Sequence, residues 1–241
     1  MSITGEEILE ALRKELKLHD KPENKHNYQR FFKEKLKDPI GFRGPILKKV
    51  SNQVYRDVKG LPPKQILDIC DYLLASNERY MPYFAYEWAV KIKRDYTKTD
   101  FARFERWLKN YVSNWGACDH LSTGPIGNLV LMYPDLSSRI MKWTRSRNRW
   151  VKRAAAVSLI IPVRQGMLFD DVIRTADVLM MDDDDMVQKG YGWMLKEATR
   201  EFPDEVFKYV VKNKAVMPRT ALRYAIEKLP EKKRKAAMKR D

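Results

Sequence analysis

Pairs of helical segments recur through this chain at intervals of a little over thirty residues, and this constrains its fold more than any other feature. With Met81, Trp115, Trp150, Met186 and Met217 as equivalent anchors, the spacings are 34, 35, 36 and 31 residues. Each anchor opens one helical segment and another precedes it. Apolar residues fall at helical three and four spacing, as in Ile8, Leu9, Leu12 and Leu16, in Ile66, Ile69 and Leu73, and in Val206, Tyr209 and Val210. Pro62, Pro82, Pro134, Pro203, Pro218 and Pro230 stand where helices are expected to begin. Alternating strand patterns are absent. Two helices per unit at this period is the mark of an α-solenoid. The predicted fold is therefore all-α: a HEAT-like α-solenoid of stacked antiparallel helix pairs with a basic concave face. It is expected to form a single repeat domain over 1–241, with a basic tail, frayed from about 230.

The register predicts which residues meet. Counted from the anchors, Trp115 is at 0, Asp119 at +4, Arg153 at +3 and Trp193 at +7. Those offsets share one helical face. In a stack of repeats, equivalent helices lie side by side. Two indoles, a carboxylate and a guanidinium would then line one surface, suited to holding a cation near a phosphate backbone. The bland alternatives are that the tryptophans are core, and that Asp119 is a helix cap or the ion-pair partner of Arg153.

Charge points to the partner. Lys and Arg number 47 against 32 Asp and Glu, a net charge of +15. That balance suits a polyanion, most often nucleic acid. Lys48, Lys189 and Lys196, with Arg153, are expected to carry the basic excess on the concave face. No apolar run approaches the roughly 18 residues of a membrane span. The first residues carry neither the charged nor the apolar region of an export signal, so a cytoplasmic protein is expected. Only Cys70 and Cys118 are present, too few for a disulfide framework. They share no ligand spacing with His19, His26 and His120, so no metal and no cofactor are expected. Glycine-rich phosphate loops are absent.

Two local features invite chemistry but have plainer explanations. Asp182, Asp183, Asp184 and Asp185 precede a predicted helix, where aspartates cap amides and complement the dipole. Metal binding is the lesser reading. Pro125, among Gly116, Gly124 and Gly127, is expected to break or kink its helix, either shaping a site or marking a loop.

Three segments resemble a known family. Asn114-Trp115 to Asp119, Trp150-Val151-Lys152-Arg153-Ala154-Ala155-Ala156 and Gln188-Lys189-Gly190-Tyr191-Gly192-Trp193-Met194-Leu195-Lys196-Glu197 are similar to the AlkD-type DNA alkylation repair glycosylases. The likeness runs over roughly residues 5 to 228. It implies excision of cationic alkylpurines, such as N3-methyladenine and N7-methylguanine, from duplex DNA by hydrolysis in base excision repair. It also implies roles: Asp119 as catalytic carboxylate, Trp115 and Trp193 as indoles flanking the damaged nucleotide, and Arg153 as a phosphate contact. Phe31 stands where the family would place a tyrosine. A monomeric enzyme working on DNA in a bacterial or archaeal cytosol is the expectation. The alternatives are a non-catalytic HEAT-like DNA-binding protein and a protein-binding solenoid scaffold.

Overall fold

The computed structural model describes residues 3–33 and 35–239. Met1, Ser2, Glu34, Arg240 and Asp241 lie outside them. The chain falls into two compact units, Met1–Ile92 and Lys93–Asp241.

The first unit contains α1 (Gly5–Leu18), α2 (Gly44–Val58), α3 (Pro63–Ala75) and α4 (Met81–Lys91). Thr4 opens α1 through a reciprocal capping box with Glu7. Helix α1 packs on α2 and α3, and α4 on α2 and α3. Trp88 of α4 is fully buried and its indole N–H donates to Ser51 of α2 at 3.0 Å. The unit also holds a feature that the sequence pattern did not announce. Strands β1 (Lys25–Asn27) and β2 (Ile40–Phe42) pair antiparallel, with His26 opposite Gly41. Three-residue strands are too short to display an alternating pattern.

The second unit is a run of helix pairs: α5 (Asp100–Tyr111), α6 (Trp115–Leu121) and α7 (Gly127–Met132), then α8 (Ser137–Trp143), α9 (Arg149–Val157) and α10 (Ile160–Val163). Helices α11 (Phe169–Leu179) and α12 (Asp185–Ala198) follow, then α13 (Pro203–Asn213), α14 (Arg219–Ala225) and α15 (Glu231–Met238). The core is dense with aromatic rings, including the fully buried Phe101, Phe104, Trp107 and Tyr191. Among the described residues, no helix is long and apolar enough to cross a membrane. The fold is all-α with a helical repeat, as the periodicity predicts.

The repeat is more regular than its anchor residues suggested. The second helices begin at Met81, Trp115, Arg149, Asp185 and Arg219, 34 to 36 residues apart. Met217 precedes its helix, which accounts for the short last interval. The prolines sit as expected: Pro62, Pro218 and Pro230 are N-caps, and Pro82 and Pro203 lie in first turns. The tail differs from expectation. Residues 231–238 form α15, tied down by the buried Ala237 and by a Lys233–Asp204 ion pair to α13.

The expected break at Pro125 is also corrected. The backbone stays helical from Trp115 to Met132, passing through a single π turn at Ser122–Ile126. Proline cannot donate to the carbonyl four residues back, and its ring crowds that turn. The wider turn relieves the crowding, and Gly127 N–H reaches Ser122 O five residues back. Asn128 Nδ2 bonds the Gly124 carbonyl at 2.8 Å.

Candidate active site

Helix α6 presents the first two site residues. Asn114 is its N-cap, accepting from the Ala117 amide at 3.0 Å. Trp115 begins the helix and Asp119 follows one turn later, three residues before the π turn opens at Ser122. Thr123, within that turn, donates its hydroxyl to the Asp119 carbonyl at 2.7 Å.

Helix α9 packs against α6 and brings Arg153 to the Asp119 carboxylate. The two groups meet side on at two points. Nε donates to Oδ1 at 2.8 Å and Nη2 to Oδ2 at 2.8 Å. The third nitrogen, Nη1, donates to the Met186 carbonyl of α12 at 2.5 Å. Arg153 is buried, its side chain only 7% exposed, while Asp119 keeps 17%. Burial pushes the guanidinium pKa down, but the hydrogen bonds and charge of Asp119 prevail and hold it above its ordinary value. Asp119 and Arg153 occupy the same place in successive repeats, one turn into α6 and one turn into α9. The predicted register therefore brings these two together, and the ion-pair alternative describes their geometry.

Room for the arginine comes from a glycine. A Cβ at Gly190 of α12 would stand 3.0 Å from Arg153 Cγ. Next to Asp119, Cys118 is fully buried, its thiol facing the Trp150 carbonyl at 3.4 Å. Burial pushes that thiol up to about 12, which leaves it a packing group rather than a nucleophile.

The two tryptophans are not core residues. Trp115 and Trp193 are half-buried, in contrast to the fully buried Trp88 and Trp107. Trp193 lies on α12 seven residues after Met186 and three after Gly190, along the stripe that faces Arg153. Its indole N–H reaches Glu197 Oε1 at a long 3.3 Å. Glu197 is a residue whose part sequence reasoning missed. Its side chain is 4% exposed, yet it also receives Arg164, Arg200 and Lys228. Burial pushes its carboxyl up, and the bonds from Arg164 and Lys228 overcome this and hold it down at about 2. The four-residue spacing of Trp193 and Glu197 was the available signal; the cations come from distant segments.

Two of the expected phosphate-binding lysines are engaged by carboxylates. Lys189 pairs with Asp185 at 3.2 Å. Lys196 pairs with Glu227 at 3.1 Å and lies 5.6 Å from the centre of the Tyr224 ring. Lys48 is exposed on α2 of the first unit. Phe31, in the same unit, is 45% exposed, with Tyr28 6.1 Å away, and Arg30 lies 4.7 Å over its ring. The aspartate run caps as expected: Asp184 accepts from the Met186 and Val187 amides of α12. It is also balanced by Arg149 on Asp184 and by a short Lys152–Asp182 pair. Among the described residues, no group of three or more His, Cys, Asp or Glu side chains is arranged to hold a metal.

Comparison with known proteins now decides the family. The family model described as DNA alkylation repair enzyme matches residues 12–229. The chain belongs to that family. All four central site residues fall inside the match. A solved structure from Enterococcus faecalis, described as a predicted DNA alkylation repair enzyme, superposes with a TM-score of 0.69. It is 16% identical, and the alignment covers 78% of this chain and 87% of the other, so the likeness speaks for the fold. No curated protein matches. Membership of the DNA alkylation repair family supports a role in alkylation repair.

Proposed function

We propose that the protein is a DNA glycosylase that hydrolyses the N-glycosidic bond of positively charged alkylpurines in duplex DNA. The observation that carries this reading is the two-point Asp119–Arg153 pair, with Trp115 one turn before the carboxylate. Alkylation at N3 or N7 makes the purine cationic and a good leaving group. Its departure leaves an oxocarbenium-like sugar, as in glycoside hydrolysis. A preoriented carboxylate stabilises that developing charge and can align a water for attack at C1′.

Arg153 sets the geometry of this chemistry. Side-on pairing fixes the carboxylate plane and uses two of its roughly four lone-pair positions, leaving two for the sugar and the water. Three nitrogens of Arg153 are already engaged, so its first task is to hold Asp119. Two of its five donors remain for a phosphate oxygen. Half-buried indoles at Trp115 and Trp193 offer cation–π attraction worth about 0.5 to 2 kcal/mol each, depending on desolvation. In this proposal the helix pairs form a single HEAT-like domain that cradles DNA and acts as a cytoplasmic monomer, with Lys48, Lys189 and Lys196 as phosphate contacts.

The test is release of base from duplex DNA carrying N7-methylguanine, under single-turnover conditions. The native chain should release the base, and Asp119→Asn should be slower by about 10²- to 10³-fold while still binding the duplex. A variant as fast as its parent would remove Asp119 from the mechanism. Duplex binding without any release would favour a non-catalytic DNA-binding protein.

A further inference from the structure

Glu197 gathers more positive charge than it needs. Its Oε2 accepts from Arg164 Nε at 2.8 Å and from Arg200 Nε at 2.9 Å. Its Oε1 accepts from Lys228 at 2.7 Å and from the Trp193 indole. Three cations thus converge on one carboxylate from three places, the end of α10, the end of α12 and the segment after α14. One carboxylate cancels one charge. The surplus is held in place by a buried group, which is an expensive arrangement if neutralising Glu197 were its only purpose.

The donor count points the same way. Each guanidinium meets Glu197 through Nε alone. Among the described residues, the terminal amino groups of Arg164 and Arg200 make no hydrogen bond. Those amino groups are the fork that matches a phosphate or carboxylate in two-point geometry. Both Nε atoms address the same oxygen, so the two guanidiniums stand side by side. Arg164, Lys228 and Arg200 keep 31%, 36% and 52% of their side chains exposed, enough to meet a ligand. The position fits as well. Glu197 follows Gly190 by seven residues on α12, a rise of about 10 Å at 1.5 Å per residue. Met186, Gly190, Trp193 and Glu197 form one stripe, with Asp119 and Arg153 at its start.

We propose that Arg164, Arg200 and Lys228 form a clamp for a phosphodiester group, with Glu197 as the positioning residue that holds them beside Trp193. The proposal rests on the DNA reading above, and takes the DNA backbone as ligand at the end of the stripe remote from the reacting sugar. A clamp of this kind tracks charge and not sequence.

The probe is an undamaged duplex, whose affinity is measured across a salt series with the full chain. Each lost phosphate contact should reduce the slope of log affinity against log salt by about 0.9. Arg200→Gln and Lys228→Gln each remove one contact at an exposed side chain, and their combination should remove about twice that. Arg200→Lys keeps the charge and should keep most of the slope, which loss of packing alone would not restore. Slopes and affinities equal to the parent's, in variants that melt as the parent does, would show that the cations serve Glu197 alone and overturn the clamp. A parent whose duplex affinity ignores salt would overturn it too. Absence of base release by the parent, with the slopes behaving as stated, would count against the proposed reaction and leave the clamp standing.

Discussion

Asp119 and Arg153 are held by one another, and this sets how their substitution should be read. Arg153→Lys keeps a positive charge but loses the side-on fork. We expect it to lower the single-turnover base-release rate strongly, while the salt slope of duplex binding stays nearly unchanged. A variant that keeps the rate and loses slope would make Arg153 a phosphate contact first. Part of the cost of Asp119→Asn or of Arg153→Lys is thermodynamic. Removing one member of a buried pair leaves the other uncompensated, commonly at about 3 to 5 kcal/mol. Rates should therefore be measured well below each variant's melting point. Glu197 offers a residue-scale test in acid. Its carboxyl pKa is lowered to about 2 in the folded protein, from an ordinary value of 4.5. A depressed carboxyl contributes stability that is complete above the unfolded value and is lost as pH falls through the folded one. The loss should fall between about pH 4.5 and 2. Glu197→Gln should be less stable than the parent at neutral pH, and the gap should narrow over that window. A gap independent of pH would mean that the carboxylate charge does not stabilise the fold.

At the scale of elements, close helix packing rests on glycines inside α12. A Cβ at Gly192 would stand 2.8 Å from the Ala221 carbonyl oxygen and 2.8 Å from Tyr224 Cβ, both in α14. The nearest obstacle is backbone, which cannot rotate away. Alanine is the better helix former by about 1 kcal/mol, yet overpacking of this kind costs typically 1 to 3 kcal/mol. Gly192→Ala should therefore lower the urea midpoint, and a raised midpoint would show that α14 can slide. Such approaches explain what was legible in the sequence. The helix pairs, their proline starts and the shared register of Asp119 and Arg153 follow from local spacing, which survives in one dimension. The ribbon of β1 and β2, the π turn at Pro125 and the docking of α15 did not. The π turn depends on whether the backbone widens or breaks at the proline, and the ribbon and the docking of α15 on which distant segment supplies a partner. The same holds for Glu197, whose partners Arg164 and Lys228 lie 33 and 31 residues away in the chain. Gly190 was visible as a residue but not as the space that Arg153 fills.

For the whole molecule, the proposed reaction limits which lesions can be removed. In that reaction Asp119, Trp115 and Trp193 would act on a developing cation, and none would supply a proton to a leaving base. Cys118 is a buried thiol with its pKa raised to about 12, and Glu197 is an acceptor tied to cations. Neither is a competent acid at neutral pH, since efficient proton transfer needs a pKa near the working pH. His120 neighbours Asp119 in sequence but lies about 100° around the helix from it, off the face shared by Trp115 and Asp119. An electrostatic site without an acid can assist only a base that already leaves well. N3- and N7-alkylpurines meet that condition because alkylation has made them cationic. Uracil and 8-oxoguanine are neutral and would depart as poor leaving groups. Side-by-side assays on matched duplexes should show release of N3-methyladenine and N7-methylguanine, and none of uracil or 8-oxoguanine. Raising the pH moderately should leave the rate for the cationic bases nearly flat, because no protonated acid is consumed. Efficient removal of uracil, or a rate that falls as an acid group titrates, would require a proton donor and a different assignment of the site.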